Sequence, residues 1–389
     1  MSLRRTPRAH ALATLLVLAA ALGCGPATTE AAGGGTAVEP EPGTPEPVAE
    51  ARPPIPEGVV EEEVSFEAAG VTVYGTLTRS ESAAKHTAVL LIAGSGPTDR
   101  DWNSPLLPGT NGSARLLAHA LAQHDIVTLR YDKRGTGATV APETITMADY
   151  LAEQLGALEL LRGRDCVDPA RVFVAGHSEG ALHALRLATS AAGELAGVIL
   201  LSGPARSLGD TMVRQISEQF AGAVAAGAID QATADAESER FRQAIADVAA
   251  GNPVAVEHRP TIPMLDQLLQ AVEAAAAVGL TELVTFDPSA AVGALRAPLL
   301  IVNGDKDMQV RPELDAQVLA DAARAGGVPD VELAIIANAD HVYKRQEIPF
   351  DVLGPEAALT YNDADRVLEP GVVTAIVEWL RHEPAPVAP

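Results

Sequence analysis

The chain has 389 residues, 47% hydrophobic but only 3% aromatic, enough for one large α/β domain or two ordinary ones with a core of Ala, Val, Leu and Ile. A formal net charge of −23 argues against binding nucleic acid or an anionic membrane surface through charge. Part of that excess is local, because Gly25 to Glu63 carries nine acids against one base, Arg52.

The first 24 residues read as a targeting segment. Arg4, Arg5 and Arg8 form a basic start, and Ala11 to Leu22 is apolar but too short to span a bilayer as a helix. The segment ends "ALGC", with Cys24 followed by Gly25. This resembles a bacterial lipoprotein signal, in which the cysteine is lipidated and becomes the new N-terminus, although Ala21 stands where Leu is usual. The alternative is an ordinary cleaved signal peptide with its cut site among the small residues Ala19 to Ala21. Either reading exports the mature chain, and the first anchors it by lipid in the bacterial cell envelope, its only expected contact with a membrane. Cys166 is the other cysteine, so no internal disulfide framework is expected and Cys166 reads as a structural thiol. Residues 25–58, rich in Pro, Glu, Gly, Ala and Thr without periodicity, are expected to form a disordered tether.

The folded domain is expected over 59–389. "VSFEAA" and "VTVYGTLT" alternate apolar and polar around Gly70, which predicts a hairpin. Continuous apolar runs follow at 88–94, 126–132, 171–176, 197–203, 298–304 and 331–337, the pattern of strands buried on both faces of a parallel sheet. Helical stretches separate most of them, near 112–123, 147–161, 179–192 and 312–325, with another at 371–381. The alternation predicts a doubly wound, mostly parallel α/β sheet of about eight strands. It is interrupted once, by an Ala-rich, helix-favouring segment from about Ser207 to Phe286. That segment is expected to be a helical cap over the ligand-binding end of the sheet and the source of substrate specificity.

The chemistry starts at "GHSEG", residues 176–180, which matches G-x-S-x-G between a predicted strand and a predicted helix. So sharp a turn needs small residues on both sides of Ser178. The helix after it aims its N-terminal N–H groups at developing negative charge. An ordinary strand-to-helix loop would give the same pentapeptide. A nucleophilic serine needs a histidine base and an acid behind that base, in the chain order Ser, acid, His. His341 and His382 follow the candidate acids. His382 lies in a Pro-rich tail, whereas His341 in "NADHVY" sits just past a predicted strand end, so His341 is the choice. The loop after the preceding strand, "NGDKDMQV", offers Asp305 and Asp307. Asp307 is preferred as the orienting acid, Asp305 as a turn or cap residue, and Asp340 is too close in sequence to face His341. The oxyanion donors are expected to be the backbone N–H of Glu179 and that of Ser95 in "AGSGPTDRDWN", beside Gly94. No His or Cys cluster has metal-ligand spacing, so no metal or cofactor is expected.

These pieces fall at the ends of different predicted strands, and from about Val59 onward the chain resembles the α/β-hydrolases. The resemblance rests on "GHSEG", "NGDKD", "ADHVY" and "YDKRGTGAT" (131–139). "AGSGPTDRD" is similar to a subgroup of bacterial esterases in which Gly-Ser-Gly-Pro and an Asp-Arg-Asp run replace the usual His-Gly motif; Ala93 departs from the broad family only. The resemblance implies structural roles for Asp132 and Arg134. Asp99, Arg100 and Asp101 are expected to brace the oxyanion loop, with substrate contact as the alternative. The Glu179 side chain, favourable at a helix N-terminus, is expected to be structural, although a carboxylate there could repel anionic substrates. The functional expectation is a serine hydrolase of small carboxylic esters. A peptidase or amidase on the same scaffold and a non-catalytic lipid-anchored binding protein are the alternatives.

Overall fold

The computed structural model describes residues 53–382 apart from 106, 108, 143, 191–194 and 364. The leader, Cys24 and most of the tether segment lie outside the described residues. Residues 53–58, assigned to the tether from composition, already hold to the body: the Pro53 carbonyl accepts from Arg115 Nη1 at 2.8 Å. Among the described residues no helix is long and apolar enough to cross a membrane.

Eight strands form a single sheet in the order β1-β2-β4-β3-β5-β6-β7-β8. They are β1 Val59–Ala68, β2 Val71–Ser80, β3 His86–Ile92, β4 Val127–Tyr131, β5 Val167–His177, β6 Gly197–Leu201, β7 Leu299–Gly304 and β8 Val331–Ile336. β2 runs antiparallel to β1 and to β4, and the other pairs are parallel. The β1–β2 turn is Ala69-Gly70, both at positive φ (44° and 79°), the backbone that matches strand twist in a two-residue hairpin.

The apolar runs are continuous because the central strands are buried on both faces. Leu90, Val174, Leu200 and Ile301 point into one core, shared with helices α2 (Met147–Arg162), α3 (Glu179–Thr189) and α9 (Gln317–Ala325). Their neighbours Val89, Phe173, Ile199 and Leu300 point into a second core with α1 (Ser113–Ala122) and α10 (Pro370–Arg381). This is the α/β-hydrolase fold. The β3/β4 swap has a functional consequence. The chain leaves β3 toward β4 and comes back to pair β5 beside β3, so the loops after β3 and β5 diverge and leave a crevice at their carboxyl ends.

Between β6 and β7 the chain forms α4 (Leu208–Ala225), α5 (Gln231–Ala249), α6 (Pro263–Ala275), α7 (Thr281–Thr285) and α8 (Pro288–Gly293). Their starts are encoded locally. Ser207 and Asp230 accept N-cap hydrogen bonds from Asp210 and Thr233, and Pro263 opens α6. Met212, Ile216, Phe220, Phe241, Leu265, Leu269 and Val284 give α4 to α7 a core of their own, while Val292 of α8 joins the first sheet core. α4 leans on the body through Arg214 and Gln215, both of which donate to the Gln309 carbonyl.

Candidate active site

β5 ends at His177, and α3 begins at Glu179 with Ser178 as its N-cap residue. Ser178 has φ 54° and ψ −121°, a region that L-residues avoid. The turn is held by Ser178 N–H donating to the Leu201 carbonyl at 2.8 Å and by Ala181 N–H donating to Ser178 at 2.9 Å. The flanking glycines are required by contact. A Cβ on Gly176 would lie 2.0 Å from the Gly180 carbonyl oxygen, and one on Gly180 2.5 Å from that of Ile92. The strained serine is thus clamped between β3 and β6, and its side chain makes no capping hydrogen bond to the helix it begins.

The loops after β7 and β8 are pressed together in the same way, since a Cβ on Gly304 would lie 2.1 Å from the Ala339 carbonyl oxygen. Across that contact His341 Nδ1 meets Asp307 Oδ2 at 2.9 Å. The other carboxylate oxygen of Asp307 accepts from the N–H groups of Gln309 (2.8 Å) and Val310 (2.9 Å), and the side chain is fully buried. Asp307 is therefore oriented by two backbone donors, which leaves one oxygen facing the imidazole. Asp305 instead accepts from Asn338 N–H at 2.6 Å and ties the two loops. Asp340 serves its own turn, accepting from Val342 and Lys344 N–H groups and pairing with Arg366 at 2.7 Å.

His177, inside the pentapeptide, is a residue that sequence reasoning passed over. Its Nε2 lies 2.8 Å from the His341 carbonyl, an acceptor only, so this nitrogen carries the proton. Its ring stacks on Trp102 with centroids 4.1 Å apart. Burial, and then the neighbouring His341, push its pKa down to about 3, so it stays neutral and acts as a fixed support for the His341 backbone.

Facing Ser178 across the crevice is the loop after β3. A Cβ on Gly94 would lie 3.3 Å from Ser178 Cβ, so the backbone there can approach because it is glycine. Thr98 donates to the Ser95 carbonyl at 2.7 Å. The run from Asp99 to Asp101 makes bracing contacts. Asp99 accepts from Asp101 and Asn103, Arg100 pairs with Asp132 (2.9 Å) and Glu63 (2.7 Å), and Asp101 pairs with Arg130 (3.0 Å). Asp132 also accepts from Ala138 N–H, and Arg134 pairs with Glu153, so both hold the loops beneath the site. Glu179 is turned inward. Burial pushes its carboxyl up, but His183 at 3.3 Å and Lys133 outweigh this and hold it below the usual range. Because the side chain does not line the cavity, the expectation that it repels anionic substrates is not supported.

Gly94, Ser95, Ser178 and His341 line one cavity of about 80 Å³. Its other walls are Thr98, Trp102, Ser104, Leu107 and Asn111 from the loop after β3, His177, Gln309, and Val342, Tyr361 and Asn362 from beyond β8. Here the structure corrects the sequence reading. Among the described residues, none of 207–286 lines this cavity, and α4 reaches it only at one remove, through the Gln309 carbonyl. The segment after His341 closes the site instead. Asn362 donates to the Leu107 and Gly109 carbonyls, Thr110 N–H donates to the Asn362 carbonyl, and Gln309 donates to the Tyr361 hydroxyl. Buried Lys344 holds the Tyr361 carbonyl at 2.7 Å.

Three kinds of likeness accompany this geometry. Over 156 residues the chain is 33% identical to "Esterase EstD" of Thermotoga maritima; the match covers 39% of this chain and 36% of that protein. An esterase of Pyrococcus furiosus aligns in structure over 73% of this chain and 84% of its own, at 16% identity and TM-score 0.48. A thermophilic esterase from Thermogutta terrifontis aligns over 83% of this chain and all of its own, at 18% identity and TM-score 0.46. The sequence pattern of the Alpha/beta hydrolase family matches residues 89–346, well over half of the chain. With the sheet order and the crevice between β3 and β5 already described, that match makes the chain a member of the alpha/beta hydrolase family.

Proposed function

We propose that the protein is a serine hydrolase that cleaves small carboxylic esters through an acyl-enzyme on Ser178. His341 takes the Ser178 proton as the hydroxyl attacks the carbonyl carbon, and returns it to the leaving alkoxide. Water then attacks the acyl group with His341 again as base, which releases the acid and restores Ser178. Asp307 keeps the imidazole in the tautomer whose Nε2 can accept. The N–H groups of Ser95 and Glu179 hold the oxyanion, with 94–101 as the oxyanion loop of the esterase subgroup that it resembles. The scheme draws only on side chains, backbone donors and water.

The observation that carries this reading is the Asp307–His341 pair at 2.9 Å opening onto the same cavity as a strained Ser178. The partial likeness to a protein named as an esterase supports ester over amide substrates. A cavity with room for only a handful of water-sized groups favours short acyl chains. The test uses the chain from residue 53 onward, a fluorophosphonate probe and a panel of nitrophenyl esters beside aminoacyl amides. The expected result is a label on the peptide containing Ser178, and turnover that is highest for acetyl and butyryl esters and falls with longer chains. Faster turnover of amides would move the protein to the peptidases, and failure to label would favour a binding protein.

For localisation we infer a lipid anchor on Cys24, supported by the leader sequence alone. In a bacterial host fed a clickable fatty acid, the full-length chain is expected to carry the label and Cys24→Ser to lose it. An unlabelled parent would return the leader to an ordinary signal peptide.

A further inference from the structure

Lys133 lies in the turn after β4, within the "YDKRGTG" run, and is 3% exposed. An ammonium is rarely buried without cause. Its Nζ donates a short hydrogen bond to the Gly94 carbonyl and lies 4.0 Å from Glu179 Oε1. These two partners belong to the two segments proposed to supply the oxyanion donors. The Gly94 carbonyl shares its peptide plane with Ser95 N–H, and in a trans peptide the two point in opposite directions. Pinning that carbonyl on the protein side therefore aims the N–H away from Lys133, and Ser95 lines the cavity. A charge-assisted bond also fixes the plane more firmly than a neutral donor and polarises the amide, which strengthens its N–H as a donor. On the other side, the Glu179 carboxylate is held between Lys133 and His183, which fixes the first residue of α3, whose own N–H is the second donor.

Resting on the serine-hydrolase reading above, we propose that Lys133 is a positioning residue of the oxyanion hole, tying both halves of the hole together from behind without touching substrate. Burial pulls its pKa below the usual lysine range while Glu179 and Glu153 work to keep the charge.

The experiment compares Lys133→Met and Lys133→Gln with the parent, on concentrations of active sites titrated with a fluorophosphonate. Removing a whole oxyanion donor costs about 10²–10³ in kcat, so loosening one should cost about 10–100-fold. Lys133→Met is expected to lose that much kcat per titrated site, with KM within about threefold of the parent. Its affinity for a trifluoromethyl ketone, whose adduct on Ser178 places an oxyanion in the hole, should fall by the same factor. Lys133→Gln keeps a donor without the charge and should recover part of both losses. A merely structural lysine would lower the titrated fraction and the melting temperature but leave kcat per site and ketone affinity alone, and that result overturns the proposal. If Lys133→Met does not fold, the same paired loss of kcat and ketone affinity, about fivefold or more in Lys133→Gln, decides it. The parent and Ser178→Ala run alongside. A parent without turnover, or a Ser178→Ala that keeps it, defeats the serine reading; normal parental turnover with an unaffected Lys133→Met defeats only the role of Lys133.

Discussion

Ser178→Ala is expected to lower kcat for a short-chain nitrophenyl ester by about 10⁴–10⁶-fold while leaving the protein folded. The size follows from the chemistry, because without the hydroxyl no acyl-enzyme forms and only binding and the oxyanion donors remain. The retained fold follows from the turn. The Ser178 side chain does not cap α3, so its loss removes no helix-stabilising bond. Alanine also carries the same Cβ, so the backbone at φ 54° is no more strained than before. Thermal unfolding should shift by no more than a degree or two. Ser178→Gly should be equally inactive yet more stable, by about 1 kcal/mol, since glycine adopts this conformation without a Cβ penalty. Turnover in either variant within tenfold of the parent would remove Ser178 from the mechanism.

Asp307→Asn is expected to cost about 10⁴ in kcat with little change in stability. One oxygen of Asp307 is committed to the N–H groups of Gln309 and Val310, which only an acceptor can satisfy. The asparagine carbonyl must take that place, so its amide group faces His341 Nδ1. Two donors cannot share a hydrogen bond, and the imidazole moves its proton to Nε2, where it can no longer accept from Ser178. KM should stay near the parental value, and steady-state kinetics with a melting curve decide the matter. If kcat falls less than about tenfold, Asp307 does not orient the base.

Much of this was legible in the sequence because it is local. The central strands announce themselves as unbroken apolar runs, since each is covered on both faces, and the chain order of Ser178, Asp307 and His341 follows from strand order alone. The pentapeptide reading gained its physical reason in structure, where Gly176 and Gly180 prove to be contact points with neighbouring backbone. What stayed hidden depends on long-range contact. Asn362 closes the cavity by bonding to residues 253 and 255 positions earlier; the sequence left open whether the irregular segment that carries it lines the site, because that segment offers no periodicity to read. The helical insertion was legible as helices, but not that its apolar faces turn mostly toward one another. Lys133 sat in a quoted motif, yet nothing in that run tells that its ammonium reaches the Gly94 carbonyl.

The separation of the insertion from the cavity wall has a consequence for how this scaffold changes over time. Helices α4 to α7 between β6 and β7 close a core of their own, while the pocket is framed by two short stretches joined at Asn362. Cavity lining and cap architecture are therefore inherited on different parts of the chain. A new cap can be exchanged, lengthened or trimmed while the groups around the cavity stay as they were, and single substitutions at Leu107 or Tyr361 can reshape the pocket under an old cap. Two relatives with dissimilar caps could then share a substrate, and two with the same cap could differ in theirs.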